Sequence, residues 1–357
     1  MPTPLAMFDY ALPPERIAQH PLPQRDASRM MVLHRNEPGW QHQRFLDLPQ
    51  ALPPNALLVF NNTRVSPRRL LGTLPRGTAT EALLIEEVPA EACNAPPNTR
   101  CWRALVKKAK RLKPGMRICF AGGALMATAT ERPDGEDWVL CFDDADTFWE
   151  RLHHHGLPPL PPYIERHQDS DWDQDREAYQ TCFAEAEGAL AAPTAGLHFT
   201  PAMLTQLEAA GFESVRLTLH VGLGTFMPVR SSTAEGHQMH EEWMQLTPEA
   251  AQAILSAKAQ NRPIIAIGTT AARALESWGQ AGSPPQGWSG QTGIFIYPPY
   301  SFLVVDGLLT NFHLPQSTLL MLVSALHGRE AMLAAYQEAV QEEYRFFSYG
   351  DCMLIRP

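Results

Sequence analysis

Two loops carrying glycine and histidine flank one short helix in the stretch APTAGLHFTPAMLTQLEAAGFESVRLTLHVGLGTFMPV, residues 192–229. His198 lies in the first loop and His220 just before the second, and histidine is the side chain whose ordinary titration lies near neutral pH. Gly222 and Gly224 let backbone approach a ligand closely past a strand end, although most GLG loops are simply turns. Further on, Gly236 to Glu242 (GHQMHEE) concentrates ionisable groups. Position 244 is Met244, so the zinc-protease spacing H-E-x-x-H fails. His240 with Glu241 can still act as a base and its orienter, and a strand edge with ordinary surface histidines is the competing reading. Gly268-Thr269-Thr270 opens a helix and offers free backbone N–H groups to an anion. Arg273 stands in that helix's first turn, where an acid is the usual complement to the dipole, which favours an anionic ligand there. Asp306, Asn311, His313, Arg64 and Arg345 add polar groups at further loop ends.

Regular elements must hold these groups. Thr200-Pro201 is a helix start, Gly211 its close, and the alternation of Val215, Leu217, Leu219 and Val221 predicts a half-buried strand. Ala56–Phe60 and Pro263–Ile267 are continuous apolar runs, as buried strands are. Strands are also expected at Gly293–Pro298, Leu303–Val305 and Cys352–Ile355, and a helix from Pro248 to Ala259 behind the Thr247 cap. Between about Ser66 and Trp149 the texture changes to short alternating segments punctuated by Gly72, Gly77, Pro114-Gly115 and Asp134-Gly135, which is the pattern of a small barrel or sandwich. The fold class is therefore α/β, with a main α/β domain (1–65 and 155–357) carrying an inserted small β-barrel domain (66–154).

The chain has 357 residues, a hydrophobic fraction of 45% and a net charge of −9, which suits a large core and excludes a uniformly basic nucleic-acid binder. Charge is nevertheless uneven. Arg100, Arg103, Lys107, Lys108, Lys110, Arg111, Lys113 and Arg117 follow one another with no acid between them. Such runs are usually solvated surface, yet a concentrated patch is what contact with phosphates needs. None of the six cysteines forms a C-x-x-C pair, so neither a zinc knuckle nor a redox pair is indicated and reduced thiols are expected. The longest apolar run, Leu319–Val323, is far too short to span a membrane, and the N-terminus lacks the features of a signal peptide.

Seven segments carry a resemblance: FDYALPPERIAQHPLPQRDASRM, VFNNTRV, APTAGLHFT, LHVGLGTFMPV, AIGTTAARALES, IFIYPPYSFLVVDGLLTNFHLPQSTLLMLVSAL and YRFFSYGDCML. In content and order they resemble the S-adenosylmethionine:tRNA ribosyltransferase-isomerases of queuosine biosynthesis. The resemblance implies an α/β domain with an inserted β-barrel. It also implies transfer and isomerisation of the ribosyl part of S-adenosylmethionine onto 7-aminomethyl-7-deazaguanine at the tRNA wobble position, giving epoxyqueuosine tRNA and releasing adenine and methionine. S-adenosylmethionine is then a co-substrate, no resident cofactor or metal is expected, and a cytoplasmic monomer acting on tRNA is the implied setting. That chemistry needs a base beside the sulfonium, a cation for the methionine carboxylate and donors for a developing alkoxide. His220, His240, Glu241, Asp306 and His313 are the catalytic candidates. Arg64, Thr194, His198, Gly222, Gly224, Thr269, Thr270, Arg273, Asn311 and Arg345 are candidates for substrate binding, and Lys107, Lys108, Lys110, Arg111 and Lys113 for tRNA binding. An S-adenosylmethionine-dependent tRNA methyltransferase and a non-catalytic tRNA-binding protein are the alternatives.

Overall fold

The structure is a computed structural model that describes all residues except Met1, Asn36, Asn94, 131–136, 167–169, Pro228 and Arg230, so the expected Asp134-Gly135 turn lies outside the described residues. The chain first lays down β1 (Arg29–His34), β2 (Trp40–Arg44), helix α1 (Leu48–Ala51), β3 (Leu57–Asn61) and β4 (Thr63–Val65). It then forms β5 (Arg69–Leu74), β6 (Thr78–Val88), β7 (Arg100–Val106), β8 (Arg117–Phe120), β9 (Leu125–Ala129), β10 (Trp138–Phe142), α2 (Phe148–His155) and α3 (Ser170–Ala178). The remainder contributes β11 (Ala186–Ala189), α4 (Pro201–Ala209), β12 (Glu213–Leu219), β13 (Glu242–Leu246), α5 (Pro248–Ala259), β14 (Ile264–Ile267), α6 (Thr269–Gln280), β15 (Trp288–Thr292), β16 (Gly307–Asn311), α7 (Thr318–His327), α8 (Arg329–Gln341) and β17 (Cys352–Arg356).

The larger unit, residues 1–64, 161–167 and 178–357, is built on a nine-stranded sheet in the order β15-β13-β12-β3-β14-β16-β17-β1-β2. Its centre, β12-β3-β14-β16, is parallel. Central parallel strands are covered on both faces, which is why LLVF and IIAI are apolar throughout and wholly buried. One face packs Leu58, Phe60, Ile265, Ile267 and Leu309 under Phe45, Phe199, Met203 and Leu207. Each such side chain contributes roughly 1.5–3 kcal/mol on burial. The helix starts follow the cap residues: Thr200, Thr247 and Ser317 accept from the N–H groups of Met203, Ala250 and Leu320. From β3 the chain proceeds to β12 on one side and later to β14 on the other, so the carboxyl end of β3 is a topological switch point.

Two expected strands move. Leu303–Val305 is not a strand, because its N–H groups go to a carboxylate. Glu276, wholly buried on α6, accepts from the N–H groups of Leu303, Val304 and Val305 at 2.8, 3.0 and 2.9 Å and from the Tyr300 hydroxyl at 3.0 Å. The strand begins after this clasp, at Gly307. Likewise residues 293–298 are irregular and WSGQT before them forms β15, held in register by β13 from Glu242↔Thr292 to Leu246↔Trp288.

The smaller unit, residues 65–160 and 168–177, is a closed antiparallel barrel in the order β10-β7-β6-β5-β8-β9. The expected boundary at 154 cuts α2, whose Phe148 and Leu152 are buried among Trp102, Phe120 and Phe142 of the barrel core. The helix therefore belongs to the insert. The expectation of reduced thiols is also corrected: Cys101 and Cys141 face each other across β7 and β10 and are joined in a disulfide, leaving Cys93, Cys119, Cys182 and Cys352 free.

Candidate active site

A cavity of about 660 Å³ opens in the larger unit at the carboxyl ends of β14 and β16, where open α/β sheets place ligands. Gly268 ends β14 with φ +93°, a left-handed conformation that disfavours any side chain, and α6 starts at Thr269 without a side-chain cap. The first-turn N–H groups of α6 thus have no side-chain acceptor at the cap, and Thr269, Thr270 and Arg273 all line the cavity. Asn61, buried at the end of β3, brackets this corner. Its Nδ2 donates to the Leu219 carbonyl at 3.0 Å and the Thr270 hydroxyl at 3.1 Å, and its Oδ1 accepts from the N–H groups of Thr63 and Leu219.

Arg273 and Glu242 form an ion pair on the cavity wall, with 6% and 5% of their surfaces exposed. The second Glu242 oxygen accepts from the Gly222 N–H at 2.9 Å and ties down the glycine loop. Arg273 Nε reaches the Ile294 carbonyl at 3.3 Å, and its buried Nη2 has no partner among the described residues. A buried donor left unpaired costs on the order of 1–3 kcal/mol, so this nitrogen has a hydrogen bond still to make. Asn311, also on the cavity wall, presents the complementary case. Its Nδ2 donates to the Phe347 carbonyl at 3.0 Å and to His198 Nε2 at 3.3 Å, while its buried Oδ1 has no partner among the described residues. An acidic–cationic wall with one spare donor and one spare acceptor can seat a zwitterion.

The histidines divide by burial. His313 lines the cavity, bonds Thr310 Oγ1 through Nε2 at 2.9 Å, and is pushed down to about 3 by desolvation. His198 sits behind Asn311. Because Asn311 donates to its Nε2, the proton lies on Nδ1, which donates to Ser28 Oγ at 2.8 Å, and burial lowers its pKa to about 4. Both rings are neutral at pH 7. His240 is exposed at the cavity, where the missing side chain of Gly224 makes room for it: a Cβ there would lie 2.8 Å from His240 Cδ2. His237 lines the same wall, lowered first by burial and then by His240.

The cavity thus gathers His240, His313, Thr194, Gly224, Thr269, Thr270, Arg273 and Asn311 from the sequence candidates. The others stand elsewhere. His220 stacks on Trp243 at 5.1 Å and bonds Thr63 Oγ1 at 2.8 Å, off the cavity lining. Asp306 accepts from the Ile264 N–H at 2.9 Å at the amino ends of β14 and β16, the opposite edge of the sheet. Glu241 and Arg64 are exposed, Gly222 lies behind Glu242, His198 lines a separate small crevice, and the Arg345 guanidinium holds the His20 carbonyl. Three features of the wall escaped the sequence reading. Glu242, not Glu241, points inward, and its spacing with buried Met244 and Leu246 was the available signal. Tyr163 and Phe347, ring centroids 4.2 Å apart, give the cavity an aromatic side, with Tyr163 bonded to Ser348 Oγ at 2.7 Å.

In the barrel, folding tempers the basic run. Arg100, Arg103, Lys107 and Arg117 meet Glu87, Glu86 with Asp137, Glu81 and Asp143. Lys108, Lys110, Arg111 and Lys113 are exposed on the turn after β7, without an acidic partner among the described residues, and Leu112 anchors that turn inward. Lys108 takes the left-handed conformation there, with Nζ on the Ala79 carbonyl at 3.0 Å.

Residues 5–355 match a family model described as "Queuosine biosynthesis protein". Two curated relatives bear the name S-adenosylmethionine:tRNA ribosyltransferase-isomerase. The one from Citrifermentans bemidjiense is 48% identical over 98% of this chain and 99% of its own length. The one from Desulfitobacterium hafniense is 47% identical over 98% of each. The crystal structure of S-adenosylmethionine tRNA ribosyltransferase from Thermotoga maritima is 34% identical, covers 98% of this chain and 99% of its own, and superposes with a TM-score of 0.54.

Proposed function

The chain belongs to the queuosine biosynthesis protein family, and from that premise we propose that its cavity binds S-adenosylmethionine and transfers and isomerises the ribosyl moiety onto the precursor base of tRNA. The names of the relatives support this reaction over the methyltransferase alternative. One observation in the larger unit carries the reading: Arg273 and Asn311 line one cavity, and each has a buried polar atom, Nη2 and Oδ1, without a partner among the described residues. Arg273, beside the N-terminus of α6, suits the methionine carboxylate, and Glu242 holds the guanidinium in place. Asn311 Oδ1 suits an amino group of the ligand, and Tyr163 with Phe347 suits a nucleobase face. His240, solvent-exposed at the cavity, is our choice for the base that takes the proton beside the sulfonium. His198 and His313 are held neutral by burial and fit positioning better. S-adenosylmethionine is consumed as a co-substrate, so no resident cofactor is invoked. The exposed turn of the barrel, Lys107, Lys108, Lys110, Arg111 and Lys113, is our choice for contacts with tRNA phosphates. A tRNA substrate implies a cytoplasmic setting, and no described helix is long and apolar enough to cross a membrane.

The test is incubation with S-adenosylmethionine and tRNA carrying 7-aminomethyl-7-deazaguanine, followed by nucleoside mass spectrometry. Epoxyqueuosine with equimolar free adenine is expected, and a folded His240→Asn variant should turn over roughly 100-fold more slowly in a single cycle. A methylated nucleoside with S-adenosylhomocysteine would overturn the reading.

A further inference from the structure

The barrel holds three sulfurs together that the reaction above does not use. Cys101 and Cys141, in register on β7 and β10 and disulfide-bonded, are 1% and 2% exposed. Cys93 ends a short 3-10 turn that packs on them with Val88, Ala90 and Ala95, and the three Sγ atoms lie within 4.8 Å of one another. Cys93 is free and only half-buried. Solvent therefore reaches the third sulfur far more readily than the two that share the bond. Arg100 and Arg103 on β7 are engaged by Glu87, Glu86 and Asp137, and the cluster itself is lined by apolar groups.

We propose that Cys93, Cys101 and Cys141 form a thiol-exchange site whose ligand is a low-molecular-weight monothiol captured at Cys93. The Cys93 thiolate attacks Sγ of Cys101 or Cys141; a bond to Cys93 forms as the Cys101–Cys141 bond breaks, and the departing thiolate takes up the proton that Cys93 released. A monothiol RSH, as its thiolate, then attacks the half-exposed Sγ of Cys93. This gives a Cys93–S–S–R mixed disulfide and frees the second buried thiol. A second RSH releases RSSR, so two monothiols are oxidised and one protein disulfide is reduced. Desolvation raises the Cys93 thiol above its ordinary value, so little thiolate is present at neutral pH and the exchange is slow.

The experiment treats the folded, full-length oxidised protein with reduced glutathione, quenches with acid and an alkylating agent at intervals, and maps linkages by peptide mass spectrometry. Wild type should pass through a glutathione adduct on Cys93. Its Cys101–Cys141 bond should be reduced at least about tenfold faster than in Cys93→Ser, with Cys182→Ser like wild type. Prior alkylation of Cys93 in folded wild type should slow reduction equally, which keeps the test open if Cys93→Ser fails to fold. Equal rates with Cys93 blocked, a first adduct on Cys101 or Cys141, or purified protein without the Cys101–Cys141 bond would each overturn the proposal.

Discussion

Positive charge is used in opposite ways in the two units. In the cavity a single guanidinium, Arg273, is buried with one carboxylate and keeps one nitrogen, Nη2, without a partner among the described residues. On the barrel turn four cations stand in solvent, and the arginines around them are paired across strands. A charge taken out of water must be held by fixed partners, so its position is specific and its loss is costly. A charge left in water costs little, is screened by salt and gives little geometric discrimination. The cavity is accordingly suited to choosing a small zwitterion, and the turn to positioning a polyanion whose sequence it does not read.

The contrast is broken most severely at Glu242. Glu242→Ala leaves Arg273 buried without its counter-charge and frees the Gly222 loop, so the urea midpoint should fall by the equivalent of about 3–5 kcal/mol. A loss under about 1 kcal/mol would mean that solvent already screens the pair.

Acid sharpens the contrast next. His198 and His313 are neutral in the folded chain down to about 4 and 3, while in the unfolded chain both titrate near the ordinary value of about 6.5. Between those values the unfolded state binds more protons, so stability is complete above about pH 6.5 and falls as pH drops through that window. Each histidine should remove about 2 kcal/mol between pH 6.5 and 5, read from denaturation midpoints, and His198→Gln should flatten the slope by one histidine's share.

The smallest effect belongs to the turn. Lys107→Ala with Lys108→Ala and Lys110→Ala should leave stability within about 1 kcal/mol of wild type. The variant should lower the log–log salt slope of tRNA binding by roughly 0.7–0.9 per lost phosphate contact. An unchanged slope would make the turn ordinary solvated surface.

Elements with their own local signal were legible in the sequence. The Thr200 and Thr247 caps, the apolar runs of β3 and β14 and the short alternating strands of the barrel all stood in the chain as written. What escaped reading depends on neighbours far along the chain. Leu303–Val305 has the composition of a strand, but Glu276 takes its N–H groups from a helix about 28 residues earlier. Glu241 and Glu242 are adjacent, and only the register of β13 decides which faces the cavity. The basic run has no acid within it, yet Glu81, Glu86, Glu87 and Asp143 reach it from other strands. The cysteines lack a recognisable spacing because Cys101 and Cys141 meet through barrel closure, 40 residues apart.

Arg273, through its unpartnered Nη2, is the group we propose to receive the carboxylate of S-adenosylmethionine. Arg273→Lys keeps a cation beside Glu242 but removes the forked second N–H, so it separates ligand contact from the stability of the buried pair. Isothermal titration with S-adenosylmethionine should give affinity weakened on the order of 2 kcal/mol in a variant that melts like wild type. A folded Arg273→Lys protein that binds S-adenosylmethionine as tightly as wild type would contradict the account.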